Sequence, residues 1–379
     1  MSAGLVASIS GFATSFALVI AGLQAVGATD AEASSGLLAL CLTVAVSSMA
    51  LAWVYRMPIS TAWSTPGAAL LVAAGTDDAN FAAAVGAFIL CGALIVLCGL
   101  WPALGRLITR IPTPLASAML AGILFPICLA PVTAMIEVPQ LAWPIIVVWL
   151  LLFRIAPRWA VPAAMVAAAV AIGLYAGDDW LRSATIAPQL TFVAPVFDPV
   201  VMVSLGLPLF IVTMAGQNVP GFVVMKTFGY DTPARPALVV TGLGTAAGAF
   251  FGGHAINLAA ITAAIMASPE AHPDKAKRWV ATFSAGIVYL LLGLGAGVAT
   301  ALVSAAPTIL IIAVAGLAVL GALISSITTA LEPPRHRMPA IVTFLVTASG
   351  ISILGIGSAL WGLLAGGVLM LWLGWGIRR

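Results

Sequence analysis

Apolar residues along this chain fall in long runs, broken by short clusters of charge, proline and glycine. A run of about 20 apolar residues spans the hydrocarbon of a bilayer as a helix. Cutting at the charges and at the Pro/Gly clusters predicts fourteen segments: 5–27, 36–54, 58–75, 80–100, 112–130, 140–153, 158–176, 198–222, 236–251, 253–268, 279–302, 306–330, 338–354 and 357–376. Two of them resist a continuous helix. The third contains Pro58-Ile-Ser-Thr-Ala-Trp-Ser-Thr-Pro66, a β-branched and polar run. Pro66 disfavours helix at the residue before it and suits a first helical turn. An extended piece followed by a half-helix is therefore expected there. The tenth opens Phe250-Phe-Gly-Gly-His-Ala-Ile-Asn-Leu, where Gly252 and Gly253 permit extended backbone before a half-helix from about Asn257. Two half-helix N-termini facing each other would offer free N–H groups and partial positive charge to an anion.

Composition turns this pattern into a class. Of 379 residues, 62% are hydrophobic and 7% charged, against about 45–50% and 25% in soluble domains. Mean hydropathy is +1.17. A soluble enzyme and a disordered chain are excluded. A net charge of +3 leaves no footprint for nucleic acid. Cys41, Cys91, Cys98 and Cys128 lie in apolar runs without metal spacing and read as small buried hydrophobes. No nucleophile–base pair, metal cluster or cofactor motif interrupts the spans, so neither an enzyme nor a cofactor is expected.

Charge placement tests the span count. With a cytoplasmic N-terminus and alternating sides, the inner loops hold Arg56, Arg106, Arg110, Arg154, Arg158, Lys226, Arg235, Lys275, Lys277, Arg278, Arg335, Arg337, Arg378 and Arg379. Arg182 alone falls outside, with Asp30, Glu32, Asp77, Asp78, Glu137, Asp178, Asp179 and Asp198. Cytoplasmic loops carry the Lys/Arg excess, so both termini are expected inside. Seven spans are odd, and two seven-span halves must then be inverted. A shift of 194 residues lays Ser10, Phe16, Ala21, Gly22 and Gly27 over Ser204, Phe210, Ala215, Gly216 and Gly221, and Gln24 over Asn218. Pro112-Thr113 echoes Pro307-Thr308, and Gly122 matches Gly316. Inverted repeats place their site near the midplane, where broken helices from the two halves meet.

Few polar residues fall within the spans. Every Asp and Glu lies in or near a loop. His254 alone among the three histidines falls at depth, at the break before the tenth half-helix. It is the candidate proton-coupling group; a neutral ring bonded to local backbone is the alternative. Gln24, Gln217, Asn218 and Asn257 interrupt apolar runs and are candidate substrate-binding amides, or interhelical hydrogen bonders. Ser60, Thr61, Ser64 and Thr65 can supply hydroxyls. Trp63, Phe16 and Phe210 can flank an aromatic ring or simply pack.

Gly252-Gly-His-Ala-Ile-Asn-Leu-Ala-Ala-Ile-Thr-Ala-Ala-Ile265, followed by Ser268-Pro-Glu-Ala-His-Pro273, resembles the signature of the bacterial benzoate transporter (BenE) family. So does Ala215-Gly-Gln-Asn-Val-Pro-Gly221 with Gly229-Tyr230, and the likeness runs on through Pro112-Thr-Pro114 and Glu332 to Arg337. That family is similar in architecture to the nucleobase transporters and, further off, to sulphate-type anion transporters. The resemblance implies an all-α membrane protein of fourteen segments in a 7+7 inverted repeat. Short strands would precede the half-helices of segments 3 and 10. A core domain would comprise residues 1–100 and 181–304, and a gate domain residues 101–180 and 305–379. Elevator-like transport, often in homodimers, comes with the resemblance. Nucleobase carriers use carboxylates in the eighth and tenth spans, where Gln217 and His254 stand here, which suits an anionic substrate.

The resulting expectation is a multi-pass protein of the bacterial inner membrane that imports benzoate or a related aromatic carboxylate with protons. A passive anion uniporter or channel of the same fold, and a carrier of nucleobases or other anions, are the alternatives.

Overall fold

The computed structural model describes residues 2–75, 79–101, 112–176 and 187–375. In chain order the helices and strands are α1 (Ser2–Ala25), α2 (Asp30–Tyr55), β1 (Thr61–Trp63), α3 (Thr65–Ala74), α4 (Phe81–Leu100), α5 (Thr113–Glu137), α6 (Pro139–Ile155) and α7 (Pro157–Ala176). The second half follows as α8 (Pro199–Thr227), α9 (Ala234–Ala249), β2 (Ile256–Leu258), α10 (Ile261–Ala267), α11 (Trp279–Gly293), α12 (Ala296–Ser304), α13 (Thr308–Leu331), α14 (Arg337–Ala348), β3 (Ser352–Ile353), β4 (Ile356–Gly357) and α15 (Ser358–Trp375). Arg106, Arg110, Asp77, Asp78, Asp178, Asp179, Arg182, Arg378 and Arg379, used above to orient the chain, lie outside the described residues.

Among the described residues six helices are long and apolar enough to cross a membrane: α1, α2, α4, α5, α8 and α13. The pair α11–α12, bent by 56° at a short break, makes a seventh. Length alone therefore reaches half of the expected count. The shortfall is clearest at the broken segments. α3 has 10 residues and α10 has 7, so at about 1.5 Å per residue neither crosses about 30 Å of hydrocarbon.

Local chemistry accounts for the boundaries. α2 begins six residues before the predicted segment, because Thr29 and Glu32 form a reciprocal capping box. α5 runs through Pro126 and Pro131 to Glu137, well past the predicted end at 130. Prolines are tolerated in a membrane helix when neighbours re-satisfy the freed backbone. α8 widens into π-helical turns at Met202–Gly206 and Met214–Asn218. Pro208 and Pro220 each stand two residues beyond one of these turns. A proline ring clashes with the carbonyl four residues back, and a turn that bonds five residues back relieves it.

The helices pack as pairs: α5 on α13, α4 on α9, α2 on α11, α14 on α15, and α6 on α7, while α1 lies against α3 and α11. The α4–α9 contact depends on glycine. A Cβ on Gly92 would lie 2.7 Å from the Gly242 carbonyl oxygen, and one on Gly242 2.7 Å from the Gly92 carbonyl oxygen. Both contacts are to backbone, which cannot swing aside. Gly92→Leu is expected to separate α4 from α9 and to abolish the monodisperse peak in detergent size-exclusion chromatography. Wild-type elution and melting temperature for that variant would refute the close approach.

Candidate functional site

Two short strands cross in the interior. β1 pairs antiparallel with β2 in the register Thr61–Leu258, Ala62–Asn257, Trp63–Ile256. The pairing extends past both ends: Ser64 N donates to Ala255 O at 2.8 Å, and Ala259 N to Ser60 O at 2.9 Å. These are the extended pieces expected before the two half-helices, but the second half-helix does not start at about Asn257: Asn257 lies inside β2, and α10 begins at Ile261, after the strand pairing ends. Gly252, at φ +85°, turns the chain into β2 in a conformation that favours glycine.

A two-stranded sheet leaves two open edges, costly at membrane depth. Here side chains close them. On the β1 side, Thr61 N donates to Ser48 Oγ at 3.0 Å, and Thr61 Oγ1 lies 2.7 and 2.8 Å from the Ser47 and Ser48 hydroxyls. Thr61 Oγ1 also donates to Val44 O at 3.0 Å. On the β2 side, Ile256 N donates to Thr245 Oγ1 at 3.0 Å, and Leu258 N to Asn218 Oδ1 at 2.8 Å. Thr61 and Asn218 thus spend their polar atoms on the strands themselves; Asn218 Nδ2 donates to Met214 Sδ at 3.3 Å.

Ser64 is the hub. Its hydroxyl caps α3 by accepting from Gly67 N at 3.1 Å, and it also accepts from Thr213 Oγ1 at 3.0 Å. Its carbonyl lies 3.1 Å from His254 Nε2. A carbonyl only accepts, so His254 carries its proton on Nε2 in the neutral state. Its Nδ1 is enclosed and has no partner among the described residues, and the whole residue is 0% exposed. With its amide oriented to suit its neighbours, Asn257 Oδ1 accepts from Ser64 N at 3.1 Å and Nδ2 donates to Leu258 O at 2.8 Å. Arg278 fixes the far end of α10, donating to Ala267 O at 2.7 Å and to His272 O at 2.8 Å.

Aromatic rings line the same place. Trp63 Nε1 donates to Ser15 Oγ of α1 at 2.9 Å. The Trp63 ring meets Phe12 at 5.8 Å and Tyr289 at 5.6 Å, both edge-on, and Phe12 stacks on Phe16 at 5.2 Å.

Ser60, Thr61, Trp63, His254 and Asn257 therefore gather at the crossing, with Asn218 alongside and Phe16 joined through Phe12. Gln217, in the second π turn of α8, is half-buried, and its amide has no hydrogen bond to any described residue. Phe210 is buried in the main core. Gln24 lies apart. Its Nε2 donates to Asp30 Oδ1 at 2.8 Å and Ser304 Oγ at 3.0 Å, in the wall of a cavity of about 670 Å³ between α1, α3, α12 and α13. Ser15, Ser48, Thr213, Thr245 and Tyr289 escaped the sequence reading. Each is a small hydroxyl or an aromatic in an apolar span, and nothing local marks its long-range partner.

The profile of the family described as "Benzoate membrane transport protein" matches residues 1–371. The chain is 45% identical over 367 residues to the inner membrane protein YdcO of Escherichia coli K12, covering 97% of this chain and 93% of that one. It is 35% identical over 331 residues to the benzoate membrane transport protein of Acinetobacter baylyi, covering 86% and 83%. Among solved structures, the transmembrane domain of the cyanobacterial bicarbonate transporter BicA superposes with a TM-score of 0.61 at 16% identity, covering 96% and 97%. The murine SLC26A9 anion transporter in the inward-facing state gives 0.61 at 15%, covering 99% and 69%. At such identities these structures show a shared fold and nothing finer.

Proposed function

Because the chain belongs to the benzoate membrane transport protein family, and its fold is that of membrane anion transporters rather than enzymes, we propose that it imports benzoate or a related aromatic carboxylate by proton symport. The observation that carries the substrate class is the 35% identity, over 86% of this chain, to a protein named for benzoate transport. A multi-pass bacterial inner membrane protein follows from the YdcO relative and the apolar helices.

Fourteen spans in an inverted 7+7 repeat are part of this reading, and the packing supports it. Adding seven to a segment number turns the α4–α9 pair into the α11–α2 pair, and β1–β2 and α5–α13 into themselves. Edge closure follows the same rule: Ser48 of the second segment bonds Thr61 N, and Thr245 of the ninth bonds Ile256 N. The core domain would be residues 1–100 and 181–304 and the gate residues 101–180 and 305–379. A cavity of about 480 Å³ at the seam is lined by Leu70 and Ser204 on one side and Pro126, Ile312 and Thr347 on the other. Elevator-type movement of the core against the gate, in a homodimer, belongs to the proposal.

The substrate ring would lie against Phe12, Phe16 and Trp63, with Phe210 behind, and Gln217 would turn its free amide to the carboxylate. Ser60, Thr61, Asn218 and Asn257 would hold the strands that shape the site, and Gln24 would serve the cavity beyond it. His254 would be the proton-linked group. A second proton would fall on Nδ1, to which no described residue offers an acceptor. Charging His254 would thus force the crossing to rearrange, which ties proton occupancy to site geometry.

A thermal-stability panel on purified protein tests the reading. Ligand that binds only the folded state adds about 2.7 kcal/mol at 100 times its Kd. Benzoate and substituted benzoates are expected to raise the melting temperature; uracil, xanthine, bicarbonate and sulphate are not. A shift with one of the latter group alone would keep the fold and replace the substrate. In proteoliposomes, uptake above equilibrium that a protonophore collapses separates symport from a passive uniporter.

A further inference from the structure

The aromatic chain beside the strand crossing ends on a polar atom without a partner. Tyr289 of α11 sets its ring edge-on to Trp63 and is only 5% exposed. Its hydroxyl makes no hydrogen bond to any described residue. A tyrosine hydroxyl inside a protein normally finds a partner; this oxygen has none among the described residues, yet it is not fully enclosed and so can meet a ligand.

Three elements meet at that hydroxyl. A Cβ built on Gly11 of α1 would lie 2.9 Å from the Tyr289 oxygen and 3.3 Å from Thr262 Cγ2 of α10. Glycine at position 11 is therefore what leaves room around the oxygen. Ile261, adjacent to Thr262 and three residues beyond β2, is 82% exposed. Thr262 is itself half-buried, and the Tyr289 oxygen is not among the fully enclosed polar atoms. A donor with no partner among the described residues and an aromatic wall of Phe12 and Trp63 coincide at one place.

We propose that Tyr289 is a substrate-contacting specificity residue, whose hydroxyl donates to a carboxylate oxygen of the bound aromatic acid while Gly11 keeps that hydroxyl clear. The proposal rests on the aromatic-carboxylate reading above. A phenol O–H to a carboxylate is a short, charge-assisted bond. It holds an anion without placing a fixed charge in the membrane, so the empty site has no buried cation to stabilise. It also favours acids over aromatic rings that carry only donors, such as anilines.

The test is benzoate affinity by calorimetry in detergent for wild type, Tyr289→Phe, Gly11→Ala and the double variant, with melting temperatures alongside. Tyr289→Phe keeps the ring and its contact with Trp63. It is expected to weaken benzoate binding roughly 10- to 100-fold while melting near wild type. Gly11→Ala is expected to weaken binding when Tyr289 is present and to add little when Phe replaces it, since the two act on one contact. Affinity within twofold of wild type for Tyr289→Phe, or for Gly11→Ala should the former not fold, would overturn the role. Wild-type protein that binds bicarbonate or uracil but no benzoate would overturn the carboxylate reading and this inference with it.

Discussion

His254→Gln should abolish benzoate accumulation driven by an inward proton gradient while leaving benzoate–benzoate exchange. Glutamine retains an amide N–H that can donate to Ser64 O, the one bond the His254 ring makes to a described residue, so the crossing should survive. What glutamine loses is the second ring nitrogen, the enclosed Nδ1 that has no partner. If that atom takes the transported proton, the variant has nothing to protonate and its transport cycle carries substrate alone. One proton per substrate across one pH unit supports about tenfold accumulation. The rate of gradient-driven uptake above that of protein-free liposomes, which neutral benzoic acid enters unaided, should therefore fall towards zero, with exchange rates retained within a few-fold. Proteoliposomes with a set pH difference and radiolabelled substrate give both quantities. Gradient-driven uptake at the wild-type rate would remove His254 from proton coupling and leave it a neutral tether for the α3 cap.

Ser64→Ala is expected to be the most damaging conservative change at the crossing. Its hydroxyl holds Gly67 N and Thr213 Oγ1, while its backbone meets His254, Ala255 O and Asn257; only the hydroxyl is lost. Removing an N-cap costs about 0.5–2 kcal/mol. Thr213 Oγ1, fully buried, loses its acceptor, which adds about 1–3 kcal/mol. Together these should lower the melting temperature by several degrees and reduce transport, because α3 would carry one wall of the proposed site. Ser60→Ala is the matched control. Ser60 contributes its carbonyl to Ala259 N, while its hydroxyl makes no bond to a described residue, so a change within about 0.5 kcal/mol is expected. Equal melting temperatures for the two variants would refute the hub role of Ser64.

The contrast between these serines explains what was legible in the sequence. Breaks were legible, because Pro66 and Gly252-Gly253 act on their own backbone, and the strands stand where those residues point. The start of α2 was legible too, through Thr29 and Glu32, but the apolar run begins later and masked it. Partners were not legible. Thr61 and Asn218 read as site residues by type, yet each is bonded to a strand or to a helix that frames it, Thr61 to Ser48 and Asn218 to Leu258, 40 residues away. Tyr289 was invisible for the opposite reason. It sits in an apolar run, and only the fold brings it to Gly11 and Thr262. The π turns of α8 were likewise hidden, although Pro208 and Pro220 announce that something in that span must give.

The strand pair also sets a timetable for making the protein. Thr61 and its partner Leu258 are separated by nearly 200 residues of chain. At about 5–20 residues per second, a ribosome needs roughly 10–40 s to pass from one to the other. For that interval Ser60 O and Ser64 N have no strand to meet. Until Leu258 follows, the open edge of β1 is ill suited to lipid, and it must be shielded by insertion machinery or kept at a watery seam.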